Sequence, residues 1–373
     1  MKRTFLIIPF IVLMFSLDLT PFLFGIGQIL PSTYPSDPGL FSSTSNSAFS
    51  LDKIDNIEAE AVSTSKSFEN SVLKGKVICI DPGHGGTAEI DSYRVGQTGE
   101  REEWVNLRVA LFLKGLLEER GAKVVMTRTT DVQVGLEERS EIAKEAKADL
   151  FISIHHNATA DDQVNFPIIY FHGSANENKA GVSFGKALAK SIRLHMFEEG
   201  TPVSLVSDFV IFPKGGTSVL RGTYGIPSVL AEASFFTHVK EEERLKEEEY
   251  NRKEAKAYLE AMEKYFCSPP ARIHEKREPL LIPPFRVLQE AERMQPEALL
   301  WYQDFLEAKA LMLEEDRQSL EKAYCLFTRS ARSFPDSYVA GECHQHRVFL
   351  LEKMGRREEA GLERKRVEAF FVK

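Results

Sequence analysis

Four stretches of the chain carry polar groups where a plain structural segment would not need them. DPGHGG (residues 81–86) follows directly on the apolar run KVICI (76–80), so the His84 imidazole sits on a loop with little steric bulk around it. Glu100, Glu102 and Glu103 open an apolar-periodic stretch, His155 and His156 follow the run DLFISI (149–154), and Glu232 ends PSVLAE (227–232). Histidine and carboxylate are ligand types of catalytic zinc, which takes three protein ligands and keeps one position for water or substrate. A further carboxylate, not itself a ligand, can then act as general base. Taken singly, each His is better explained as a satisfied surface or core group, and acidic residues at a helix start are favoured by the helix dipole alone. Their joint occurrence beside three strand ends favours metal-assisted hydrolysis.

The surrounding pattern supplies elements that could bring these groups together. KVICI, KVVMT (123–127), DLFISI, PIIYFH (167–172) and PSVLAE read as buried strands. Val105, Val109, Phe112, Leu113, Leu116 and Leu117 share one helical face, with Gly121 as the C-terminal stop. Further helices are expected around 136–146, over 178–197, and as one long charged helix over 239–265. Alternating strands and helices, with near-continuously apolar strands, predict an α/β fold: a mostly parallel twisted sheet flanked by helices. Ligands of such sheets bind beyond the carboxyl ends of the strands, where the polar groups lie.

At this point the residues resemble a known family. IDPGHGG (80–86), EEWVNL (102–107), KVVMTRTTD (123–131), LEERSEIA (136–143), ADLFISIHHNA (148–158) and IPSVLAEASF (226–235) are similar, in order and spacing, to the zinc-dependent N-acetylmuramoyl-L-alanine amidases of the amidase_3 type. The resemblance covers about residues 75–266, half of the chain. It implies one Zn2+ held by His84, Glu102 and His155, with Glu232 as the catalytic acid/base, and Asn106-Leu107 selects Glu102 over Glu100 and Glu103. It also implies the substrate, the amide between N-acetylmuramic acid and L-alanine in peptidoglycan. His156 departs from the family, which usually has a small residue there, and so competes with His155 for the ligand role. Asn157 and Arg221 are weaker candidates for substrate binding, Asp81 could support a zinc histidine or cap its own loop, and Arg128 and Arg139 read as structural pairs. A zinc hydrolase acting on another amide, or a non-catalytic wall-binding protein, are the alternatives. The second would be marked by loss of Glu102 or Glu232, and both are present.

The rest of the 373 residues bounds the setting. Lys plus Arg is 47 and Asp plus Glu is 55, a net charge of −8, which argues against nucleic acid as partner. Four scattered cysteines without CxxC spacing do not make a disulfide scaffold. Met1-Lys2-Arg3 and the apolar run that follows read as a signal peptide or N-terminal anchor over 1–27, which would place the protein in the periplasm or cell envelope. Any membrane contact would run through that segment alone. Residues 28–73 read as a Ser/Pro-rich disordered tether, 74–267 as the catalytic domain and 268–286 as a Pro-rich linker. Residues 287–373 read as a small all-α unit similar to tetratricopeptide-type repeats, open to a protein partner, with Asp336-Ser337 as a helix-start signal.

Overall fold

The computed structural model describes residues 71–88, 94–293, 295–314 and 316–372. The expected leader and most of the tether lie outside the described residues. Six strands form one sheet: β1 (Val77–Pro82), β2 (Lys123–Met126), β3 (Leu150–Asn157), β4 (Ile168–Phe171), β5 (Ser204–Ser207) and β6 (Ser228–Phe235). The order is β2-β1-β3-β6-β4-β5. β2, β1, β3 and β6 run parallel, β4 runs antiparallel to β6, and β5 runs parallel to β4. The sheet is thus mixed and mostly parallel, and the carboxyl ends of β1, β3 and β6 share one edge.

One face of the sheet is covered by α1 (Glu102–Glu119), α3 (Lys179–Met196) and α6 (Glu248–Phe266). Ile78, Ile80, Ile152, Ile154, Val229 and Ala231 pack there against Val109, Leu113, Phe184 and Tyr258. Gly121 ends α1 at φ +78, with its N–H and that of Ala122 bonded to the Glu118 and Leu117 carbonyls. The Asn178 side chain caps α3 by accepting from the Gly181 N–H.

The other face meets α2 (Leu136–Glu145), α4 (Ser218–Gly222) and helices from the C-terminal part of the chain. That part holds α7 (Glu290–Arg293), α8 (Trp301–Leu311), α9 (Arg317–Ser333), α10 (Ala340–Lys353) and α11 (Arg357–Phe370). Its Trp301, Phe305, Phe327, Phe334 and Phe370 share a single core with Cys79, Phe151, Ile168, Tyr170 and Leu230 of the sheet. Phe166 meets the rings of Phe334 and Tyr338 at centroid distances of 5.9 and 5.1 Å. Burying a side chain of this size stabilises by about 1.5–3 kcal/mol, so these contacts fix the helices firmly on the sheet. Beyond α11, Phe371 bridges Val206 and the Val372 N–H donates to Leu205 O, which covers the open edge of β5.

Three local expectations need correction. SLVS (204–207) forms β5, a strand beyond those expected from the apolar runs. The single charged helix over 239–265 is two, α5 (Val239–Leu245) and α6, broken at Lys246-Glu247. Asp336-Ser337 does not start a helix: α10 begins at Ala340 without a side-chain cap. The Asp336 carboxylate is buried instead between the Tyr170 hydroxyl and Arg293.

Candidate metal centre

The loop after β1 is shaped by its neighbours. Arg128 donates to the carbonyls of Pro82 and Gly83, and Arg139 to those of Pro82 and His84. Asp81 accepts from Thr127, Ser153 and Arg139, so it braces the loop and the strand beside it rather than a histidine. His84 sits at φ +56, a left-handed conformation uncommon for a side chain of this size. At Gly83 a Cβ would fall 2.2–2.6 Å from the His155 ring, so only glycine fits there.

This framing brings three side chains together at the carboxyl edge of the sheet. His84 Nε2 lies 3.1 Å from Glu102 Oε2, and His155 Nδ1 lies 2.9 Å from Glu102 Oε1. One ligand atom from each of the three residues falls within 4.8 Å of the other two, the sole such group of His, Cys, Asp and Glu among the described residues. Atoms bound at 2.0–2.1 Å around a tetrahedral ion stand about 3.3 Å apart, close to the two imidazole–carboxylate distances, and the donor set of two imidazoles and one carboxylate suits zinc. Burial pushes the Glu102 carboxyl up, but His84 and His155 outweigh it and hold it well below the usual carboxylate range. Burial lowers His155 against the pull of Glu102, which favours the neutral ring that a ligand needs.

The neighbouring acids are spent elsewhere. Glu100 pairs with Arg108 and Glu103 with Arg101. His156 does not compete with His155: alternation along β3 turns its ring to the opposite face of the sheet, where it is buried against Asn106 and Glu254. Glu232 pairs in register with His155 across β3 and β6, which puts both side chains on the same face. It is half-buried, and its Oε2 has no hydrogen-bond partner among the described residues. Burial, then the charges of Glu102 and Asp336, raise it well above the ordinary glutamate value, with Arg293 and Arg94 pulling the other way.

The two weaker candidates are engaged with nearby backbone. Asn157 closes β3, and its side-chain oxygen accepts from the Ala158 N–H, the behaviour of a turn residue. Arg221 donates to the carbonyls of Gly215 and Gly216 and to Ser218. It belongs to the surroundings of Lys276, whose Nζ lies 2.6 Å from His172 Nε2. His172 follows β4, which runs antiparallel to β6, so this group is at the opposite sheet edge from His84 and His155. The sequence reading passed over Asn106 as a contact, although its place four residues after Glu102 puts it one helical turn away. Its Nδ2 lies 3.2 Å from Glu102 Oε1.

The profile of the N-acetylmuramoyl-L-alanine amidase family (Amidase_3) matches residues 78–264, half of the chain. This chain is a member of that family. The amidase-family chain is 33% identical over 198 residues to the uncharacterized protein YqiI of Bacillus subtilis, covering 52% of this chain and 86% of YqiI. It is 28% identical over 225 residues to the N-acetylmuramoyl-L-alanine amidase AmiC of Escherichia coli O6:H1, covering 51% of this chain and 53% of AmiC. It is 31% identical over 217 residues to the amidase LytC of Bacillus subtilis, covering 57% of this chain and 40% of LytC. The chain therefore spans about half the length, or less, of these two named amidases. Among solved structures, the amidase AmiC2 of Nostoc punctiforme aligns at 28% identity and a TM-score of 0.45, covering 52% of this chain and 99% of that one.

Proposed function

We propose that this amidase-family chain hydrolyses the amide between N-acetylmuramic acid and L-alanine in peptidoglycan, releasing stem peptides during wall remodelling or division. The observation that carries the reading is the convergence of His84, Glu102 and His155, with Glu232 in register beside His155. His84, Glu102 and His155 would hold one Zn2+. The ion, when bound, supplies a Lewis acid that polarises the scissile carbonyl and lowers the pKa of water towards about 7.

The protein's own groups account for the proton. As the water oxygen bonds to the carbonyl carbon, the ionised Glu232 carboxylate takes one proton from it. As the C–N bond breaks, Glu232 passes that proton to the departing nitrogen, which leaves as the neutral amine of L-alanine. Burial and the Glu102 charge raise its pKa, which makes the carboxylate a stronger proton acceptor than an ordinary glutamate.

We place the reaction in the periplasm or cell envelope, since the substrate is there and residues 1–27 have the pattern of an export signal. Among the described residues no helix is long and apolar enough to cross a membrane. We assign residues 74–267 to catalysis and 287–373 to a helical unit whose outer side is available to a protein partner.

The test is incubation of the full-length protein with purified sacculi, with and without a chelator. Stem peptides beginning at L-alanine, glycan strands left intact, and loss of release under chelation are expected. Cuts inside the stem peptide or within the glycan would overturn the substrate assignment, and release unaffected by chelation would overturn the metal.

A further inference from the structure

The ring of His156 is buried in the layer between the sheet and helices α1 and α6, and so is Glu254 on α6. His156 Nε2 lies 3.1 Å from Glu254 Oε2, and Nδ1 lies 2.8 Å from Asn106 Oδ1. The direction of the hydrogen bond between His156 and Asn106 follows from the far end of the chain of contacts. Asn106 Nδ2 lies 3.2 Å from Glu102 Oε1 and 3.4 Å from the Gly83 carbonyl oxygen. Both of those oxygens only accept, so the amide nitrogen faces them and the amide oxygen faces His156. His156 Nδ1 therefore donates to the Asn106 amide oxygen, and Nε2 faces the Glu254 carboxyl group. The backbone N–H of His156 adds a 3.4 Å contact to the same Glu102 oxygen.

A carboxylate and an imidazole placed this deep lose their hydration, and an apolar pair of similar volume would often pack as well. What the polar pair provides and an apolar pair cannot is a line of hydrogen bonds ending on Glu102. We propose that Glu254 and His156 are positioning residues, which act through Asn106 to hold the Glu102 carboxylate and the Gly83-His84 loop in the geometry the ion requires. The proposal rests on the reading of His84, Glu102 and His155 as zinc ligands. Outer partners of this kind commonly tune metal affinity. It also links α6, far along the chain, to the start of α1.

The experiment measures Zn2+ affinity of the full-length protein by competition with a chelating dye, with the fold of each zinc-free protein checked by circular dichroism and thermal melting. Wild-type protein that binds no zinc would sink the metal reading itself. Given wild-type binding, Glu254→Ala and Asn106→Ala should each weaken zinc about 10–100-fold, with Glu254→Gln, which keeps an oxygen able to face His156, losing less. Because the links act in series, the double variant should bind no more weakly than Asn106→Ala alone. A folded Glu254→Ala with wild-type affinity would overturn the proposal. So would losses that add in the double variant, or an affinity that falls only in step with the unfolded fraction. If Glu254→Ala does not fold, Glu254→Gln carries the comparison: additive losses with Asn106→Ala overturn the proposal, and losses that do not add support it.

Discussion

The hydroxyl of Tyr170, on the strand next to the one bearing Glu232, hydrogen-bonds the carboxylate of Asp336, which lies between helices α9 and α10. Arg293 completes the contact from the other side, 3.0 Å from Asp336 Oδ1. A polar group of the catalytic sheet is therefore satisfied by the C-terminal helices and not by solvent. Tyr170→Phe removes one partner and leaves Asp336 with Arg293. A loss of about 1–3 kcal/mol is expected from the hydrogen bond alone, read as a lower midpoint in chemical denaturation. An unchanged midpoint would mean the helices do not depend on this contact.

Glu232→Gln keeps the shape of the side chain and removes its ability to take a proton. Turnover of sacculi should fall by about 10²–10⁴-fold, the usual worth of a general acid/base. Zinc content should stay at the wild-type level, because the three proposed ligands are elsewhere. Metal analysis beside the activity assay separates the two roles, and a variant that lost zinc as well would count against Glu232 as a non-ligand.

The pH profile follows from the same carboxylate. Glu232 must be ionised to accept the proton, so kcat/KM should rise as pH rises through its pKa. Burial and the negative charges of Glu102 and Asp336 raise that pKa, which moves the acid limb to higher pH. Asp336→Asn removes one of those charges and should move the limb to lower pH. Both proteins would carry the same metal, so the difference reports Asp336. A limb that stays in place would separate the helices from the chemistry.

Gly83→Ala tests the packing of the loop. The added methyl would meet the His155 ring at 2.2–2.6 Å, and the ring is held by the contact of its Nδ1 with Glu102, which a shift would break. Overpacking of this kind costs about 1–3 kcal/mol. The expected result is lower zinc occupancy at fixed free zinc, measured by metal analysis, together with a lower melting temperature. Full occupancy would show that the loop can shift to make room.

Much of the site could be read along the chain because its groups are tied to contiguous motifs. His84 and His155 follow apolar runs that are plainly strands, so the rule that ligands gather at strand ends groups them with the acidic start of the next helix, while the choice of Glu102 over Glu100 and Glu103 rests on the family resemblance. Glu232, at the tip of PSVLAE, was read in the same way. Asn157 and Arg221 were weaker because a polar residue in a loop has many local uses, and the structure shows both engaged with nearby backbone. SLVS of β5 alternates serine with apolar residues and lacks the continuous apolar run that marks KVVM and IIYF, and the break at Lys246-Glu247 is hidden because the flanking residues favour helix on both sides.

By itself the sequence determined the element types, the side chains with chemical potential and their order, since propensity and periodicity are properties of neighbours along the chain. Tertiary structure alone decided that β4 runs against β6, that Asp336 serves Tyr170 instead of capping a helix, and that the C-terminal helices complete the second face of the sheet. It also decided that His156 turns inward to Glu254 while His155 turns to Glu102. These outcomes depend on which surfaces meet, and burial rewards whichever partner fills a space, however distant it is in the chain.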